Sequence, residues 1–243
     1  MLYLRGFFTN QTIFTEMKSN LMYTISAAMA AIAAVSSCKT DNSPTYFSYM
    51  TAVKEQPSSQ GISYLVADDS TIIFPTEWPD GLYGMEHNQR LFATFTIPSG
   101  EITDPLYAEF STVSQIRQDT IAHTSATSGK GDPIFINAAW KSGGIYGADK
   151  FLTLSFTFRG AGYTPHKFEL SDEENAISNP DPMGYYLLTF KHDNSNEPDA
   201  YPYNGVITYP LTAKYTDGIK GLKIRFSTSS SPSAKDSTIT VKY

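Results

Sequence analysis

One thiol, four imidazoles and two acidic loops are the groups in this sequence whose chemistry reaches beyond packing. The thiol, Cys38, ends an apolar run and is the chain's single nucleophile of that kind. His87 and His123 fall in expected loops, whereas His166 and His192 fall at the ends of expected strands, a position suited to a hydrogen-bonded structural histidine. No G-x-S-x-G elbow, H-E-x-x-H pair or Gly-rich phosphate loop accompanies them, so neither catalysis nor a cofactor is expected. Of the acidic loops, Ser171-Asp172-Glu173-Glu174 and Asp193-Asn194-Ser195-Asn196-Glu197-Pro198-Asp199, the second places oxygen ligands at alternate positions as calcium loops do. It lacks the central Gly and terminal Glu of an EF-hand loop, and a solvated hairpin tip without metal is the expectation. Tyr201 and Tyr203, in Tyr201-Pro202-Tyr203-Asn204, offer flat faces on which sugar rings could stack; the alternative, which is favoured, is that they cover the edge of a sheet. Asp69-Ser70-Thr71, Asp119-Thr120-Ile121 and Asp236-Ser237-Thr238 resemble a three-residue O-glycan acceptor site, with Ser70, Thr120 and Ser237 as the acceptors.

The surroundings of Cys38 select among its possible roles. Leu21 to Val35 is an uncharged run of 15 residues, short of the ~20 a membrane-spanning helix needs. Lys18 precedes it and small Ser36 and Ser37 follow, which is the layout of a secretory signal peptide over residues 1–37. Val35-Ser36-Ser37-Cys38 then resembles a bacterial lipobox, in which the thiol receives diacylglycerol and cleavage leaves the cysteine as the first mature residue. A buried cysteine is usually a small hydrophobe, but Lys39-Thr40-Asp41-Asn42-Ser43-Pro44 is a polar tether with no core to enter. Residues 38–45 are therefore read as the lipidated tether. One acyl chain holds weakly, whereas the two or three palmitate-class chains of a lipoprotein anchor hold stably. Residues 1–16 are aromatic and carry Glu16, which suits a signal peptide poorly, so Met17 is the expected start.

Arg5, Lys18 and Glu16 all lie upstream of Cys38, so the chain from Cys38 onward carries a net charge of about −7, against −6 for the whole sequence. No stretch concentrates Lys and Arg, which excludes a partner gripped through a phosphate backbone, and no nucleic acid is expected. With its cysteine committed to lipid the mature fold has no disulfide and must stand on its core. Sixteen Tyr and 15 Phe favour pleated sheet, and Gly and Pro recur as turn markers, so the expected class is all-β.

Period-two runs bear this out along the chain. Ile62–Val66 and Thr71–Phe74 flank Asp68-Asp69-Ser70 as a hairpin, and Leu91, Ala93, Phe95 and Ile97 share one face of the next strand. Tyr107 to Ala122 alternates with Ala108, Phe110, Thr112 and Ile116 on its more apolar side. The small, polar stretch from His123 to Pro133 predicts a domain boundary, placing one domain at 46–123 and a second at 132–243. Beyond it, Phe151–Phe158, Tyr185–Phe190, Gly205–Tyr209, Gly221–Phe226 and Thr238–Tyr243 read as strands of a sandwich.

The collinear order of several short pieces resembles the NigD-like family of bacterial lipoproteins. These are the lipobox, the Asp68-Asp69-Ser70 hairpin, Asn88-Gln89-Arg90-Leu91-Phe92-Ala93-Thr94-Phe95, Trp140 ahead of Phe151–Phe158, Pro165–Leu170, and Leu187–Asn194 running to Asp199 and Gly205–Tyr209. The resemblance implies an N-terminal OB-like β-barrel domain followed by a C-terminal immunoglobulin-like β-sandwich. The family's usual glycine before the Gln-Arg pair is Asn88 here, the next best residue if that position needs a positive φ.

These readings converge on a lipid-anchored cell-envelope protein, expected at the outer membrane, with a non-catalytic binding or assembly role and a protein or glycan partner that the sequence does not identify. The alternatives are a glycan-binding accessory lipoprotein and an uncatalogued hydrolase built on His166 or His192. Intact mass of the precursor tests the assigned start: a chain beginning at Met17 is expected, and one beginning at Met1 contradicts it.

Overall fold

A computed structural model describes residues 44–55, 61–124, 131–173, 179–231, 233 and 235–243. The first half folds into a closed five-stranded barrel, the second into a two-sheet sandwich, and among the described residues only single-turn helices interrupt the strands.

The barrel uses β1 (Thr45–Val53), β2 (Tyr64–Ala67), β3 (Ile72–Pro75), β4 (Arg90–Thr96) and β5 (Leu106–Gln115), in the order β1-β2-β3-β5-β4 with β4 returning to β1. Alternation drives the closure: Met50, Ala52, Leu65, Ala67, Ile73, Leu91, Ala93, Phe95, Ala108 and Phe110 all point into the core. Alanines paired with larger residues, Ala67 with Met50 and Ala52 with Leu65, suit so narrow a barrel, whose interior is filled by side chains. Ser70 makes the β2–β3 turn at φ 79°, with its amide bonded to the Ala67 carbonyl. Asn88 takes positive φ, 65°, the left-handed region that asparagine tolerates better than most residues.

The sandwich packs the sheet β14-β13-β11-β10-β7 on the sheet β6-β12-β9-β8. Its strands are β6 (Arg117–Gln118), β7 (Ala122–Thr124), β8 (Ile134–Gly143), β9 (Lys150–Gly160), β10 (Lys167–Glu173), β11 (Tyr185–Asp193), β12 (Tyr201–Pro210), β13 (Gly221–Phe226) and β14 (Ser237–Lys242). Leu152, Leu154, Phe156, Leu188, Phe190, Ile207, Tyr209, Leu222 and Ile224 form its core.

The crossover between the halves falls upstream of the expected 123–132 boundary. β6 pairs with β12 and β7 with β10, both in parallel, so residues 117–124 belong to the sandwich and the chain leaves the barrel at Ile116. Length misled the sequence reading: the run from Tyr107 alternates without a break, but its last part pairs with a different sheet. Residues 125–130 of the expected linker lie outside the described residues.

The β8–β9 hairpin depends on Gly143 at φ 73°, where an added Cβ would sit 1.9 Å from the Asp149 carbonyl oxygen. Gly143→Ala is expected to destabilise the protein by more than about 2 kcal/mol, measured by urea unfolding; an unchanged midpoint would contradict this geometry.

Candidate functional site

Where barrel meets sandwich, the sequence places a charge under cover. Arg90 opens β4 on the outer face of the barrel, yet it is fully buried. Its guanidinium donates two bonds to the Asp68 carboxylate, at 2.6 and 2.9 Å, one to Thr51 Oγ1 at 3.0 Å and one to Thr153 Oγ1 of β9 at 3.4 Å. From the sandwich, the Trp140 indole N–H donates to Asp68 Oδ2 at 2.6 Å, while its ring packs on Tyr49, centroids 5.1 Å apart. Gln118 closes the joint, accepting from the Arg90 amide and donating to the Asn88 carbonyl. The Asn88 side chain in turn accepts from the Asp149 amide, a bond glycine could not make. One bidentate ion pair thus takes hydrogen bonds from both domains and couples them.

A second buried network joins the two strand-end histidines. His166 Nδ1 lies 2.7 Å from His192 Nε2, and His166 Nε2 lies 2.7 Å from Glu197 Oε2. His192 Nδ1 faces the Pro133 carbonyl at 3.2 Å and must carry a proton there, leaving its Nε2 as the acceptor for His166. His166 bridges the two, its Nδ1 facing His192 and its Nε2 facing Glu197. Glu197 also accepts from the backbone amides of Ala161 and Thr164, and closely from Tyr163. Burial works to raise its carboxyl, but the His166 ring and the loop amides outweigh it and hold Glu197 down to about 2. Burial pushes the His192 imidazole down, and neighbouring His166 adds to that.

These contacts decide what the network can do. The ring nitrogens of both histidines and the carboxylate oxygens of Glu197 all have partners within the fold, and the rings pack against Phe158 and Phe168. The arrangement fastens the 161–166 loop to the β11–β12 turn. The second acidic loop, expected as a solvated hairpin tip, is this same turn: Asp193 and Asn194 accept from the amides of Ser195 and Asn196, but Glu197 is buried and points inward. Among the described residues no group of three or more His, Cys, Asp or Glu is arranged to hold a metal.

The other acidic segment buries Asp172, which accepts from Lys214 at 2.5 Å and Tyr215 at 2.7 Å and meets exposed His123 at 2.9 Å. His87 Nδ1 accepts from the Lys54 amide. Tyr203 lies on the core-facing row of β12 and stacks on Phe158 at 5.6 Å, so one of its faces is covered; Tyr201, one layer farther out, is 65% exposed. Ser70 and Thr120 are exposed, while Ser237 is half-buried in β14. The lipobox residues Val35, Ser36, Ser37 and Cys38 lie outside the described residues. Sequence reasoning missed the joint, although a lone arginine opening an apolar alternating strand was its visible signal.

The family model described as the NigD-like C-terminal beta sandwich domain matches residues 116–243, beginning where the chain leaves the barrel. Among solved structures the chain is similar to a toxin-related protein from Parabacteroides distasonis, with 24% identity, a TM-score of 0.63, and 82% of this chain and 93% of that one covered. It is similar to a NigD-like immunity protein from Bacteroides caccae, with 14% identity, a TM-score of 0.55, and coverage of 83% and 94%. It is also similar to a protein described as a lipoprotein from Bacteroides fragilis, with 10% identity, a TM-score of 0.56, and coverage of 82% and 97%. At these identities the likeness is one of fold. No curated protein matches the chain.

Asp68→Ala leaves Arg90 buried without its counter-ion and is expected to cost about 3–5 kcal/mol. Arg90→Met should cost less, because Asp68, with a side chain 17% exposed, can hydrate; equal losses in urea unfolding would contradict the asymmetry. For both His192 and Glu197 the unfolded chain binds protons more readily, so stability falls with pH, first below the ordinary 6.5 of histidine and then between 4.5 and about 2. The melting temperature should therefore drop between pH 7 and pH 5, and His192→Gln should lose that segment; an identical slope in the variant would contradict the assignment.

Proposed function

The chain belongs to the NigD-like family, and on that premise we propose that it is a lipid-anchored protein of the cell envelope, held at the outer membrane through Cys38, that works by binding or assembly and not by catalysis. The observation that carries this reading is a spacing. Cys38 ends the apolar address segment, and the first barrel strand begins seven residues later, at Thr45. Seven extended residues reach at most about 25 Å, so an acylated Cys38 would keep the barrel close to the bilayer surface.

The lipoprotein description of the Bacteroides fragilis structure supports the anchor by analogy of fold. The hydrogen-bonding groups of His166, His192 and Glu197, engaged with one another and with backbone, support a role without chemistry. Two domains joined through a buried ion pair suit a receptor or scaffold, which gains affinity when its surfaces are ordered before the partner arrives.

Detergent phase partition of cell envelopes tests the anchor. Wild-type protein is expected in the detergent phase with acyl mass on its N-terminal cysteine, and Cys38→Ala in the aqueous phase; equal partition of the two contradicts the proposal. Hydrolytic turnover that disappears in His166→Gln would contradict the non-catalytic role.

A further inference from the structure

The rows of side chains on the barrel's outer face run in register across β1, β4 and β5. Thr51 pairs with Arg90, and this row is covered by the sandwich. Two residues along, Tyr49 pairs with Phe92 and Phe92 with Ser114, and this next row emerges at the edge of the joint. There it forms one wall of a cleft of about 280 Å³, completed by Gln115, Ile116, Arg117 and Val206 of β12. The wall carries two half-buried rings, Tyr49 and Phe92, with centroids 5.0 Å apart and planes tilted by 56°.

Three polar side chains of the cleft are left without a partner among the described residues. Among the described residues, the Tyr49 hydroxyl, Ser114 Oγ and the Gln115 amide make no hydrogen bond within the protein, and Arg117 is held by Asp119 through one nitrogen at 2.9 Å. Burial, reinforced by the nearby Asp68 carboxylate, pushes the Tyr49 phenol up, so its hydroxyl keeps its proton and can both donate and accept. Concave sites at domain interfaces, apolar and aromatic with a few placed polar groups, are where small ligands bind.

We propose that this cleft binds a neutral saccharide, with a ring seated on Phe92 and Tyr49 and its hydroxyls bonded to Gln115, Ser114 and Arg117. The inference rests on the binding role proposed above and names its ligand class. Sugar rings present apolar C–H faces to aromatic walls and a rim of groups that both donate and accept, which a carboxamide and a hydroxyl match. A wholly apolar ligand would cover the Gln115 amide and the Arg117 head without replacing their water, at a cost in affinity. An anion is disfavoured because Arg117 already faces Asp119 and the chain is net negative. The volume is small for a drug-sized site, so the cleft seats a glycan end or a short stretch of one.

The test uses the full lipoprotein in a detergent without a sugar headgroup, titrated with malto-, cello-, manno- and xylo-oligosaccharides. Binding is followed by calorimetry and by tryptophan fluorescence, to which Trp140 contributes from its place against Tyr49. At least one series should bind saturably and change the tryptophan emission. Gln115→Ala and Phe92→Ala should weaken binding at least tenfold, Tyr201→Ala should not, and Gln115→Ala should melt as wild type because its side chain is exposed and unbonded. Binding untouched by Gln115→Ala but lost in Tyr201→Ala would overturn the cleft and move the site to β12, leaving the binding role standing. No binding by any series at millimolar concentration would overturn the saccharide assignment, while the anchor is read independently from Cys38.

Discussion

A guanidinium with no exposure to solvent can be kept in a fold only if its charge is answered in place, and here Asp68 answers that of Arg90. Desolvation of such a group costs several kcal/mol, which is recovered only with good geometry and with the remaining donors and acceptors satisfied. In this protein the groups that meet most of that need come from both sides of a domain boundary, Thr51 from the barrel and Thr153 and Trp140 from the sandwich, while the buried Nε of Arg90 makes no hydrogen bond. Separating the domains would leave the ion pair short of partners it needs. The relative placement of the two halves is thereby tied to the stability of each.

That constraint positions everything of functional interest on the joint. The cleft wall of Tyr49, Phe92 and Ser114 lies one row from the ion pair, so its rings are held by the same pairing that buries Arg90. Trp140 serves both, bonding Asp68 with its indole N–H and packing Tyr49 with its ring. The far end of the sandwich is fastened differently, by the histidine pair and an inward-facing Glu197 that organise loops away from the barrel. A ligand at the joint would meet a preorganised surface close to the membrane, if Cys38 carries lipid.

Much of the fold was legible because strands with one buried face write their period into the sequence. β2, β4, β9, β11 and β13 sit where alternation puts them. β1 was not read as a strand because both its faces are apolar: Met50 and Ala52 enter the barrel, while Phe47 and Tyr49 pack on Phe92 outside it. In β8 a bulge between Ile136 and Ala138 breaks the period, and in β10 the buried Ser171 and Asp172 read as loop. The joint was illegible for a different reason. Its members, Asp68, Arg90, Trp140 and Thr153, are far apart in sequence, and only the pairing of two domains brings them into one cluster. Likewise Glu197 read as a surface acid, since nothing local marks the amides of Ala161 and Thr164 that it accepts from.

The claim that one ion pair makes the two domains a single unit is tested most directly by scanning calorimetry. The wild-type protein should unfold in one transition whose calorimetric and van't Hoff enthalpies agree, and Asp68→Asn should split it into two. Two separate transitions in the wild-type protein would contradict the account.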